Sequence, residues 1–299
     1  MDKIIIICGP TASSKTTLAV RLAKKLNTEV VSADSLYVYK QLNVGTAKPT
    51  IDEMQGVVHH LIDVCEPNGT FSVGDYRELA KPIIDDIINR RKIPIVCGGT
   101  GFYINSILYN YSYGDGKADL ELRKSYFDLA SEHGNEYVFN ILKEKDYETS
   151  LKLHPNDLKR VIRALEICAN GRKKSDIKDD NLPNYDYKAF TIDFERKELY
   201  DRIDKRVDIM INNGLLGEVK GLLGQGLSEH SQSMQGIGYK EIIEYLNGSI
   251  TLQEAVEKIK LNTRHYAKRQ ITFFKKLPNL VYLKPDTIED IADRIIERL

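Results

Sequence analysis

The first regular pattern along the chain is an unbroken apolar run from Lys3 to Ile7 with no polar alternation. Such a run predicts a parallel strand buried on both faces, and it ends at Gly9 in a loop of small and hydroxyl residues. The period then changes. Leu18, Leu22 and Leu26, with Ala19 and Ala23, recur at the spacing of a helix that buries one face on a sheet. Glu29 to Ser32 predicts a second strand that stops at Asp34-Ser35. Strand, loop, helix and strand in this order open a doubly wound α/β fold. Leu61 to Val64 predicts a short third strand. Val73, Tyr76, Ala80, Ile83, Ile84, Ile87 and Ile88 mark a long amphipathic helix, closed by Arg90-Arg91-Lys92 where cations suit the helix dipole. Ile93 to Cys97 returns as a strand and runs into Gly98-Gly99-Thr100-Gly101. Ligands of open α/β sheets bind beyond the carboxyl ends of the strands, so the loops at 9–16, 34–37 and 98–101 are expected to converge.

Between Tyr113 and Tyr185 the strand pattern disappears and helical spacing takes over, as in Leu158, Val161, Ile162, Leu165 and Cys168. Residues 113–186 are therefore expected to form a helical insertion between two parts of a core, 1–112 and 187–299. Gly171 to Asp186 is expected as a solvated loop at the return to that core. Ala189 to Phe194 restores a strand, and helices follow around Leu199–Ile211, Leu215–Leu223, after Gly238 and over Leu252–Phe274. Leu280 to Leu283 suits an edge strand before a terminal helix. The fold class that results is α/β, a parallel sheet of the P-loop NTPase kind flanked by helices, with a helical insertion domain and a helical C-terminal region.

Composition narrows the classes without choosing a function. With 299 residues, 42% hydrophobic and 29% charged, the chain has the make-up of a globular protein that can bury a sizeable core. The formal net charge is zero, so a polyanion partner has to be met by a local basic face. One exists: from Leu252 to Lys284, eight Lys or Arg stand against two Glu. Cys8, Cys97 and Cys168 lie in apolar runs, and Cys65 follows another, as buried thiols of a reducing compartment do. The adjacent His59 and His60 would point to opposite faces of a strand and make a poor chelating pair. No apolar run approaches the length of a membrane span and Met1 leads directly into a strand, so a cytoplasmic location is expected.

The strongest chemical signal is Gly9-Pro10-Thr11-Ala12-Ser13-Ser14-Lys15-Thr16. It fits the phosphate-loop pattern G-x-x-x-x-G-K-[ST] except at Ser14, which replaces the second glycine. Successive backbone N–H groups and a helix N-terminus surround a phosphate, Lys15 supplies a point charge, and the Thr16 hydroxyl can join the shell of a magnesium ion. Ser14 either strains the loop, at about 1 kcal/mol, or sits in an ordinary helical conformation. A nucleotide hydrolase would also carry an acidic residue at the end of a neighbouring apolar strand. The fourth strand ends in Cys97-Gly98 instead, and the carboxylate nearest the loop is Asp34. That arrangement suits a loop gripping a diphosphate leaving group, with the carboxylate serving an incoming nucleophile.

Taken together, GPTASSKTT at 9–17, ADSLYVYKQLNVGTAKP at 33–49, VCGGTGFY at 96–103, NDLKRVIRALEI at 156–167, LYDRIDKRVDIMINNGLLGEV at 199–219, QGIGYKEIIEY at 235–245 and TRHYAKRQITFF at 263–274 resemble the tRNA dimethylallyltransferase family. The likeness runs the length of the chain, with no C-terminal zinc finger, and suggests the bacterial type. It implies transfer of a dimethylallyl group from its diphosphate to the exocyclic amine of the adenosine 3′ to the anticodon, with Mg2+. It implies Asp34 as base, Lys15 and Arg206 on the diphosphate, and Thr100 orienting the amine or the base. Their plain competitors are a turn cap for Asp34, a helix N-cap for Thr100 and a solvated ion pair for Arg206. The resemblance further implies a tRNA-contacting surface of Asp34, Ser35, Leu36, Tyr37, Thr100, Arg123, Lys159, Arg160, Val161, Ile162, Arg163, Gln235, Gly236, Ile237, Gly238, Tyr239 and Lys240. The expected partner is a tRNA anticodon stem-loop, met by a monomer with no membrane. An adenylate dimethylallyltransferase, a small-molecule kinase and an RNA-binding protein with a relic loop are the alternatives.

Overall fold

The structure, a computed structural model, describes residues 3–111, 119–176 and 180–299; Tyr113, where the insertion is expected to begin, and Asp179 of the connector lie outside them. In chain order the elements are β1 (Lys3–Cys8), α1 (Lys15–Leu26), β2 (Val30–Ser32), α2 (Ile51–Met54), β3 (His59–His60), α3 (Val73–Asn89), β4 (Ile95–Gly98) and α4 (Gly101–Leu108). An excursion follows through β5 (Tyr109–Asn110), α5 (Leu120–His133), α6 (Asn135–Lys145), α7 (Tyr147–Ser150), α8 (Leu158–Ala169) and β6 (Asp180–Pro183). The return comprises β7 (Asp186–Ile192), α9 (Arg196–Asn212), α10 (Leu215–Gly224), α11 (Tyr239–Leu246), α12 (Leu252–Phe274), β8 (Leu280–Leu283) and α13 (Ile288–Ile296). The chain divides into two compact units, 1–108 with 183–299, and 109–182.

In the first unit six strands pair in the order β3-β2-β4-β1-β7-β8, each neighbour parallel. Ile4 to Ile7 of β1 are each at most 1% exposed, so both faces of the strand are covered, as the lack of alternation demands. Each isoleucine so buried stabilises the fold by about 1.5–3 kcal/mol. Leu18, Ala19, Leu22 and Ala23 of α1 join that core, along with Ile291 and Ile295 of α13. β1 lies between β4 and β7, and the phosphate loop leaves its carboxyl end, the position at which open parallel sheets hold ligands.

Two expectations are corrected here. The third strand is His59–His60 rather than Leu61–Val64. Leu61 and Asp63 take φ of 62° and 58°, in the left-handed region, which no extended strand tolerates. The two histidines diverge as expected: His59 Nδ1 lies 2.9 Å from the Val57 carbonyl and His60 Nε2 lies 2.8 Å from Glu29. The connector at Gly171–Asp186 is likewise not all loop, because Asp180–Pro183 forms a strand paired with β5. Asp, Asn and Pro carry no side-chain signal for a strand whose pairing is made by backbone.

In the second unit α5, α6 and α8 enclose a core of Ala130, Val138, Phe139, Leu142, Val161, Ile162, Ala164 and Leu165. Glu166, 1% exposed on α8, accepts from Arg123 and Arg163 and from the Asp119 N–H. A carboxylate this buried has to be ion-paired, and the two arginines bring that compensation.

Candidate active site

The phosphate loop has an alternating backbone. Ala12 and Ser14 have φ of 63° and 59°, so Ser14 occupies the left-handed conformation and not the ordinary helical one. Its lack of glycine costs about 1 kcal/mol. The Pro10 carbonyl accepts from Ser13 Oγ at 2.8 Å and from Lys15 Nζ at 2.9 Å, which holds the ammonium within the loop.

The three glycine and polar loops converge. The Thr100 N–H donates to the Ala33 carbonyl at 3.0 Å, and Thr100 Oγ1 accepts from the Ser35 N–H at 3.0 Å. The Thr100 hydroxyl therefore secures the Asp34 loop. Gly98 is needed because a Cβ there would lie 2.1 Å from the Ala33 carbonyl oxygen. Gln270 of α12, only 5% exposed, accepts from the Thr11 N–H and donates to the Gly99 carbonyl, both at 2.9 Å. One side chain thus joins the loop after β1 to the loop after β4.

These loops bound a cavity of about 820 Å³, lined by Lys15, Thr16, Asp34, Arg206, Tyr37 and Tyr266 among others, whereas Thr100, expected to orient the amine or the base, does not line it. Asp34 Oδ1 accepts from the Leu36 N–H at 3.0 Å, so the turn-cap role is real, while Oδ2 accepts no hydrogen bond from a described residue. Burial, with Asp34 reinforcing it, pushes the Tyr37 and Tyr266 phenols up to about 12, which keeps both as neutral donors. The Tyr37 hydroxyl donates to the Ala47 carbonyl at 2.8 Å. Arg206 donates to the Thr46 carbonyl at 3.3 Å. Burial lowers the pKa of the Lys15 ammonium, and Arg206 adds to that while Asp34 opposes it.

Comparison with known proteins fits this geometry. A family model described as IPP transferase matches residues 37–277. A tRNA dimethylallyltransferase of Acetivibrio thermocellus is 46% identical over all of this chain and 96% of that protein. The chain belongs to the tRNA dimethylallyltransferase family. A second such relative, from Caldanaerobacter subterraneus subsp. tengcongensis, is 47% identical over 99% of this chain and 97% of its own length. The full-length tRNA isopentenylpyrophosphate transferase of Bacillus halodurans superposes with a TM-score of 0.75 at 39% identity, covering 100% of this chain and 97% of that one. A eukaryotic dimethylallyltransferase acting on tRNA gives 0.82 at 28% identity, covering 100% and 77%. The family match begins at Tyr37, and the phosphate loop and Asp34 lie within the stretch of this chain that the full-length relative covers.

Not every residue expected to meet RNA is placed to do so. Ser35, Leu36, Tyr37, Gln235, Gly236, Ile237 and Lys240 line the cavity. Val161 and Ile162 are 0% and 2% exposed, and as core residues they leave the expected contact surface. Gly238 and Tyr239 are also buried, and the Tyr239 hydroxyl donates to Glu218 at 2.6 Å. Arg123 and Arg163 are bound to Glu166, which leaves Lys159 and Arg160 as the exposed cations of that stretch.

Four residues given no individual role in the sequence shape the site: Arg202, Glu218, Tyr266 and Gln270. All lie in motif segments, yet their partners are far along the chain. Glu218 accepts from the N–H groups of Asn43, Val44 and Gly45 at 2.9, 2.8 and 3.0 Å, a turn of three donors closed by one carboxylate. That turn carries Thr46 and Ala47 to the cavity. Glu218→Gln is expected to lower stability by about 2 kcal/mol through loss of charge-assisted bonds. The measurement is urea unfolding, and an unchanged midpoint rejects the expectation.

Proposed function

We propose that this chain transfers a dimethylallyl group from dimethylallyl diphosphate to the exocyclic N6 of the adenosine 3′-adjacent to the tRNA anticodon, releasing diphosphate. One observation carries this: one cavity is lined by Lys15 of the phosphate loop, by Arg206 of α9 and by Asp34, whose Oδ2 accepts no hydrogen bond from a described residue. An adenine amine is a weak nucleophile, because its lone pair is delocalised into the ring. It attacks the allylic carbon as the carbon–oxygen bond to diphosphate breaks, and its proton passes to Asp34 Oδ2. Charge builds on the departing phosphate oxygens, where Lys15, Arg206 and the loop N–H groups stabilise the transition state more than the ground state.

The donor set also suits magnesium. Thr16 at the first turn of α1 offers one hydroxyl to the cavity, and magnesium takes one or two protein oxygens beside phosphate and water. When bound it would neutralise phosphate charge during departure.

Polynucleotide substrate is favoured over a free nucleotide by the exposed Lys268, Arg269, Lys275 and Lys276 at the end of α12. Arg264 is occupied, with one nitrogen 2.9 and 3.2 Å from the Asp204 carboxylate oxygens. In the second unit Lys159 and Arg160 are the candidates for phosphate contacts. Among the described residues no helix is long and apolar enough to cross a membrane.

Incubation with labelled dimethylallyl diphosphate, magnesium and either unmodified tRNA or AMP decides the substrate. Label is expected on tRNA; label on AMP alone favours the free-nucleotide enzyme. Affinity for tRNA is expected to fall about tenfold or more between roughly 50 and 200 mM salt as counterions are released. Salt-independent binding in a filter assay argues against the basic face.

A further inference from the structure

Position 14 breaks the phosphate-loop pattern, and its structural partner lies 188 residues away. Arg202, one helical turn before Arg206 on α9, stacks its guanidinium over the Phe194 ring at 4.4 Å. From that support Nε donates to the Ala12 carbonyl at 2.9 Å and Nη2 donates to the Ser14 hydroxyl. The two groups it holds belong to Ala12 and Ser14, the two non-glycine residues of the loop with positive φ. Ser14 stands at the N-cap of α1, where a serine hydroxyl ordinarily accepts from the first helical turn, yet it makes no such bond. Its oxygen is turned to Arg202 instead.

The consequence reaches the anion site through peptide geometry. A trans peptide sets its C=O and N–H on opposite sides. Fixing the Ala12 carbonyl on Arg202 therefore turns the Ser13 N–H the other way, and that N–H has no partner among the described hydrogen bonds. Glycine in the same loop would hold the left-handed conformation unaided. Serine does not, and an external hold is supplied by the guanidinium.

We infer that Arg202 is a positioning residue that keeps the phosphate loop in its anion-binding conformation in place of the missing glycine, with Ser14 and Arg202 acting as one unit. This rests on the diphosphate role of the loop proposed above. It makes the importance of Arg202 conditional on the residue at 14, which a stacking or packing role of Arg202 does not.

The test uses the full chain and measures binding of inorganic diphosphate with magnesium by calorimetry, alongside KM for each substrate. Ser14→Ala removes the acceptor but keeps a Cβ in the left-handed conformation, and it is expected to weaken diphosphate binding about tenfold. Ser14→Gly removes the same oxygen together with the strain, and it is expected to stay within about threefold of the parent. Arg202→Met is expected to weaken binding about tenfold in the parent chain and clearly less when combined with Ser14→Gly. KM for dimethylallyl diphosphate should follow these changes while KM for tRNA does not. Equal losses for Ser14→Ala and Ser14→Gly, or an Arg202→Met loss that is the same on both backgrounds, overturn the proposal. The alanine and glycine variants decide it even where Arg202→Met does not fold. A parent chain that binds no diphosphate removes the underlying role as well, whereas a parent that binds it with additive variants removes only the pairing.

Discussion

Asp34→Asn is expected to lower kcat by about 10²–10⁴-fold, the usual contribution of a positioned general base, while leaving the loop and tRNA binding close to those of the parent. The substitution separates the two roles seen at this side chain. Oδ1 accepts from the Leu36 N–H, and the asparagine carbonyl can do the same, so the turn that presents Ser35 to Thr100 survives. Oδ2 is the atom with no hydrogen-bond partner among the described residues, and there the amide puts a donor where proton transfer needs an acceptor. A purely structural Asp34 predicts the opposite division, with lost stability and little change in rate for the folded fraction. Single-turnover transfer to saturating tRNA, with thermal unfolding of the same preparation, distinguishes them. A variant that retains near-parent rates removes Asp34 from the base role.

How much of the fold and site is legible in the sequence depends on the range of the interaction. β1, the phosphate loop and α1 declare themselves locally, since a doubly buried strand needs no alternation and the turn needs its own residue types. The convergence of the loops at 9–16, 34–37 and 98–101 also follows from connectivity alone. β3 falls elsewhere than its pattern suggests because Leu61 and Asp63 adopt a backbone that their side chains disfavour, so tertiary context sets it. Glu218, Arg202 and Gln270 reach partners 175, 190 and 259 residues away, and no local pattern marks which loop each will hold. Val161 and Ile162 teach the reverse lesson. Their apolar periodicity places them on the buried stripe of α8, and the motif resemblance that assigns them to the RNA surface is the poorer guide. Ser14 is visible as a departure, but its left-handed backbone and its bond to Arg202 are not.

Lys15→Met is expected to lower kcat by about 10²–10³-fold, comparable to removing one donor from a preorganised anion site, and unlike Asp34→Asn it should also weaken diphosphate binding. In the structure the ammonium donates to the Pro10 carbonyl, 2.9 Å away, so an arriving phosphate has to draw it off a bond that already exists. Burial and the nearby Arg206 hold its pKa below the ordinary 10.5. An anion favours the protonated form, so diphosphate raises that pKa on binding. Affinity is therefore full below the lowered pKa of the unliganded protein and declines as pH rises through it. Titration of diphosphate binding as pH rises toward the ordinary lysine value of 10.5 should show this decline in the parent chain and lose it in Lys15→Met. Equal profiles in the two proteins would show that the pH dependence belongs to another group.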